Sequence, residues 1–228
     1  MPKQKKLNLS QRNNLVRAAV MGANDGILSI SGIVIGVAAA SSNSFTIFIA
    51  GFAGILAGTV SMAMGEYVSV HSQNDAQVRA ETEQRYALEN DYQTEYRFVR
   101  DKYINQGVSL ELATLAANEM MAQDALGTTV RERHGFTLHH EVSAVGAAIA
   151  SMISFPTGSL LPMLAITLLP ANIKIPATGL AVAIALAITG YSAAKLSGAN
   201  LYRATLRNVI SGIFTMVVTF LIGSLIGR

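Results

Sequence analysis

Charged positions vanish from two long stretches of this chain: none lies between Gly26 and Gly65, and none between Val142 and Ile173. Each stretch exceeds the roughly 20 residues that cross a bilayer as one helix. The first must therefore fold back, and the small polar run Ser41 to Ser44 is its natural turn, which predicts spans near 18–40 and 45–70. The second predicts a third span near 142–169, ended by Pro170, Lys174 and Pro176, because proline and charge together break an apolar helix. A fourth span near 177–194 and a fifth near 208–226 follow, separated by Lys195, Arg203 and Arg207. The expected fold class is all-α: a polytopic membrane protein with five transmembrane helices.

Between spans two and three the pattern changes. The segment 71–141 carries 12 of the 14 acidic residues and all four histidines, His71, His134, His139 and His140. Apolar positions recur at helical spacing (Leu112, Leu115, Ala116, Met120), Gly107 and Ser109 supply a stop and an N-cap, and Gly127 predicts a further break. The segment is expected to be a small cytoplasmic helical domain of two or three helices that prolong span two. Its apolar content is thin, so a second copy or the membrane bundle is expected to complete its core. The chain thus divides into a basic tail (1–17), spans one and two (18–70), the cytoplasmic domain (71–141) and spans three to five (142–228).

Composition supports this division: 51% hydrophobic residues, 14% charged residues and a mean hydropathy of +0.39 do not fit an ordinary soluble domain. The absence of cysteine excludes disulfides, thiolate metal sites and cysteine nucleophiles. The N-terminal apolar stretch is too long for a signal-peptide core, contains an acid and leads directly into a second span. The tail bases Lys3, Lys5, Lys6, Arg12 and Arg17 are read as a topology signal and not as a nucleic-acid site, because no aromatic or glycine-rich pattern accompanies them. With that tail inside, 15 of the 17 Lys and Arg residues fall on the cytoplasmic side, leaving Lys174 and Arg228 outside. The expected orientation is N-terminus in and C-terminus out. In a prokaryote the default location is the plasma membrane.

The net charge of +3 conceals a cytoplasmic segment of −5 and a remainder of +8. Two acids lie within the spans, Asp25 and Glu66. An acid at that depth costs a few kcal/mol and calls for a partner or a function. No Lys or Arg falls within the predicted spans, so an external cation or a proton is expected to neutralise both. Met62 lies one turn from Glu66 on the same helix face. A thioether beside carboxylates shifts preference from magnesium and calcium toward iron and other later transition metals, although methionine also fills gaps in helix packing. Glycines four apart, Gly22/Gly26, Gly32/Gly36 and Gly54/Gly58, predict close helix packing. The histidines have no HExxH or ExxH spacing, which disfavours a zinc site.

The strings Gly22-Ala-Asn-Asp-Gly-Ile-Leu-Ser, Ser61-Met-Ala-Met-Gly-Glu-Tyr-Val-Ser-Val-His-Ser-Gln, Thr189-Gly-Tyr and the run from Arg203 to Gly223 resemble the vacuolar iron transporter (VIT) family. That resemblance covers nearly the whole chain. It implies a transporter, not an enzyme, that moves Fe2+ or Mn2+ out of the cytosol as substrate by proton antiport, with no resident cofactor. It also implies a homodimer in the lipid bilayer, with a path on the two-fold axis lined by Asp25 and Met62, and with Glu66 close by. The family's paired-glutamate pattern in the cytoplasmic domain is broken here at Tyr86, Thr94 and Arg97, and Arg133 stands where a glutamate is expected. Glu83, Glu95, Glu119, Met121 and Asp124, with Glu81 and Glu89, form either a rearranged metal site or solvated helix faces. Two other readings remain: a metal sensor acting through these acids, and a membrane carboxylate metalloenzyme, the latter opposed by the lack of Glu-x-x-His pairs.

Overall fold

The computed structural model describes residues 9–138 and 142–227. The bases Lys3, Lys5, Lys6 and Arg228, together with His139, His140 and Glu141, lie outside them. Every element among the described residues is helical: α1 (Leu9–Ala40), α2 (Ser44–Asn90), α3 (Tyr92–Asn105), α4 (Leu110–His134), α5 (Ala144–Leu168), α6 (Lys174–Ser197) and α7 (Leu201–Ile226). Five of these, α1, α2, α5, α6 and α7, are long and apolar enough to cross a membrane. The protein is an all-α polytopic membrane protein. Contacts divide it into two units, one built from residues up to 68 and from 143 onward, the other from residues 69–142.

In the membrane-spanning unit α1 is central and packs against α5, α6 and α7. Glycine permits this. A methyl group on Gly26 would run into the carbonyl oxygen of Phe155, and one on Gly158 into that of Ala23, so α1 and α5 meet backbone to backbone. Such approaches replace the hydrophobic driving force that lipid removes. By contrast, α2 meets α1 and α5 through side chains: Ile47 and Met62 pack on a cluster of Ile30, Val34, Phe155, Met163 and Ile166. Gly158→Ala is expected to cost at least the 1–3 kcal/mol typical of overpacking and to lower the thermal midpoint of detergent-solubilised protein. Gly179→Ala, with no atom within 4 Å of the added carbon, is expected to leave the midpoint unchanged.

The break after span one falls at 41–43, where Asn43 Oδ1 accepts the backbone N–H groups of Phe45 and Thr46 and starts α2. Two boundaries differ from the hydropathy reading. Helix α1 starts at Leu9, so Arg12 and Arg17 belong to a helix and not to a tail, because a charged residue can end an apolar run without ending a helix. Lys174 opens α6 and is buried.

In the inserted unit, Asp91 caps α3, Gly107 takes a left-handed conformation (φ 95°) between α3 and α4, and Ser109 caps α4. The break expected at Gly127 falls at Asp124, whose backbone leaves the helical region (φ −155°, ψ 85°). Its carboxylate accepts the N–H of Gly127 at 2.8 Å and restarts the helix. The core is small: Val99, Ala117 and Met121, flanked by Leu88, Tyr96, Phe98 and Tyr103. The buried face of α4 carries Ala113, Ala117 and Met121, whereas Leu112 and Leu115 are exposed.

Candidate functional site

Arg17, Met21, Asp25 and Ser29 follow one another at intervals of four and share one face of α1. Asp25 is partly buried, and its Oδ1 accepts a hydrogen bond from Ser29 Oγ at 2.9 Å. Among the described residues no Lys, Arg or His forms an ion pair with it.

Glu66 is different, and here the sequence expectation is corrected. Its buried carboxylate is neutralised from within the chain: Arg17 Nη2 donates to Oε2 at 2.8 Å and Nη1 to Oε1 at 3.4 Å. Because α1 begins before the first apolar run, Arg17 sits on a helix that carries it to Glu66, near the middle of α2. The same guanidinium approaches Met21 Sδ at 3.2 Å and Asn14 Oδ1 at 3.1 Å. Met62, one turn from Glu66, lies against the apolar cluster around Ile30 and Phe155.

A polar group behind Asp25 was not anticipated. Asn208 Nδ2 donates to Asn24 Oδ1 at 2.7 Å, to the Leu186 carbonyl at 2.9 Å and to Thr189 Oγ1 at 3.1 Å, joining α1, α6 and α7. Asn24 precedes Asp25, so fixing its side chain fixes the rotation of α1 that sets where Asp25 points. The signal was present: Asn24, Thr189 and Asn208 are uncharged polar residues inside apolar runs, where each needs a partner.

Several acids of the inserted unit are paired with its own bases. Glu95, its side chain 7% exposed, is gripped by Arg133 through two bonds of 2.8 and 2.9 Å and receives Gln84 Nε2 at 2.7 Å. The Arg133 guanidinium also lies over the Phe98 ring, 3.8 Å from its centroid. Glu83 pairs with Arg79 and Glu81 with Arg85. Glu132 meets Lys102, Arg131 and the Tyr103 hydroxyl. Burial pushes the Glu132 carboxyl up, but the bonds from Lys102, Arg131 and Tyr103 outweigh it and hold the group below its ordinary value. Burial and that carboxylate together raise the Tyr103 hydroxyl.

The candidate metal residues of this unit are dispersed. Glu119 is exposed, Met121 sits in the apolar core and Asp124 caps a helix segment. Among the described residues no group of three or more His, Asp or Glu is arranged to hold a metal ion.

A profile of the VIT family matches residues 16–224. A vacuolar iron transporter of Acanthamoeba castellanii is 34% identical over 92% of this chain and 78% of its own length. The vacuolar iron transporter homolog 1 of Arabidopsis thaliana is 31% identical over 100% of this chain and 90% of its own. A rice protein of the same name is 31% identical over 97% and 78%. The chain belongs to the VIT family.

Proposed function

We propose that this protein exports divalent iron or manganese from the cytosol by proton antiport, with Asp25 as the acid that alternately holds metal and proton. The observation that carries this reading is the partly buried carboxylate in the middle of a membrane helix with no basic partner among the described residues. Such a group is costly at rest and is relieved by a cation or a proton. A carboxylate must release its proton to bind metal, so metal and proton exchange at one group. The relatives named as vacuolar iron transporters support the substrate class. Met62 is the proposed soft ligand of the path.

The functional unit is read as a homodimer whose second copy completes the path, with the N-terminus cytosolic and the C-terminus outside, as the distribution of Lys and Arg favours. The relatives are named for the vacuole; in a prokaryotic host the same reading would place export at the plasma membrane. In either membrane the metal leaves the cytosol. The proposed role of the inserted unit is structural, because Glu95 and Glu132 already have internal cations. This makes transport the better reading than sensing. A carboxylate metalloenzyme is the weaker reading, because the relatives are named as transporters or their homologs.

Proton coupling is tested with proteoliposomes containing a pH indicator. Fe(II) or Mn(II) influx is expected to accelerate when the interior is acid and to drive proton efflux. Flux indifferent to an imposed pH gradient would reject antiport.

A further inference from the structure

Four electron-pair donors meet the Arg17 guanidinium. Two carboxylate oxygens of Glu66, the Asn14 amide oxygen and the Met21 sulfur converge on it, at 2.8 to 3.4 Å. Asn14 and Met21 lie three residues before and four after Arg17, so helix geometry places both on its face of α1. Carboxylate and amide oxygens with one thioether are also a set that a borderline transition cation accepts. The pair is unequal in exposure: the Glu66 side chain is 7% exposed and that of Arg17 47%. The carboxylate is fixed, while the guanidinium sits on a long side chain already half in contact with the surroundings and can swing out. Arg17 lies about two turns, about 12 Å along the helix, before Asp25 on the same face of α1, and Met21 lies between them, about one turn from each.

We propose that Arg17 is a tethered cation occupying a metal-loading site made of Glu66, Met21 and Asn14, and that an arriving divalent transition ion displaces it. The guanidinium keeps the buried carboxylate neutralised when no metal is present. It also discriminates by charge, since a monovalent ion brings no more charge than the group it must displace. The site's purpose rests on the transport reading, but its test reads binding and not flux.

The test is Co(II) binding to the purified full-length protein in detergent, followed by the visible absorption of bound Co(II). A site held by its own tether about nine-tenths of the time binds about tenfold more weakly than the free site. Arg17→Gln is therefore expected to tighten Co(II) binding about tenfold. Adding Glu66→Gln is expected to abolish the gain, and adding Met21→Leu to remove part of it for Co(II) while changing Mn(II) binding less. Arg17→Lys keeps the charge without the planar fork and is expected to fall between wild type and Arg17→Gln, which covers failure of the glutamine variant to fold. Binding in the folded position-17 variants no tighter than wild type, or a gain that survives Glu66→Gln, overturns the proposal. Metal flux by the wild type is scored separately: its absence rejects the transport reading, whereas flux without a binding gain rejects the tether alone.

Discussion

Asp25→Asn is expected to reduce metal flux in proteoliposomes by at least ~100-fold, because even groups that only orient a metal ligand cost about 10–100-fold when removed. The substitution preserves size and leaves an acceptor for Ser29 Oγ. It also removes a charge whose placement in a membrane helix costs about 2.5–3.5 kcal/mol at the helix centre. The folded variant should therefore be as stable as the wild type, or more stable, with an unchanged elution volume. Loss of transport with gain of stability is the signature of a residue kept for function. Undiminished flux would remove Asp25 from the path, and loss of flux with loss of fold would make it a packing residue.

The second large effect is expected in the inserted unit. Arg133→Ala leaves Glu95 buried with only Gln84 beside it and strips the cation from Phe98. Breaking a buried pair from one side costs about 3–5 kcal/mol. The Arg133 side chain is 32% exposed, so about 2–4 kcal/mol is expected here. Hydrogen exchange over residues 92–134 of the full-length protein should accelerate accordingly. Replacing both partners by apolar residues, Arg133→Met with Glu95→Leu, is expected to restore most of the protection. Equal exchange in wild type and Arg133→Ala would show that the pair does not hold α3 to α4.

These two sites differ in how far the sequence reveals them. Asp25 was visible because the bilayer demands long uncharged runs, and one acid inside such a run is conspicuous. The spans, the turn before Asn43 and the stop and cap at Gly107 and Ser109 were readable for similar local reasons. The Arg17–Glu66 pair was not: the two are 49 residues apart, and the last charge before the apolar run ends the hydropathy signal but not the helix, since α1 extends back to Leu9. Glu95 and Arg133, 38 residues apart, read as a broken metal pattern until folding placed the guanidinium on the carboxylate. Gly127 drew attention as a breaker, yet the break belongs to Asp124, whose side chain can cap the segment that follows. Local punctuation is written in short strings; charge pairing across helices depends on depth and rotation.

Transport of divalent metal across a bilayer by this chain is decided by Fe(II) and Mn(II) uptake into proteoliposomes of the purified protein. Protein-free vesicles and Asp25→Asn vesicles of equal protein content serve as references. Wild-type protein is expected to show saturable uptake that exceeds both references and increases with an acid interior. Wild-type uptake no faster than that of protein-free vesicles, in either direction of the pH gradient, would contradict it.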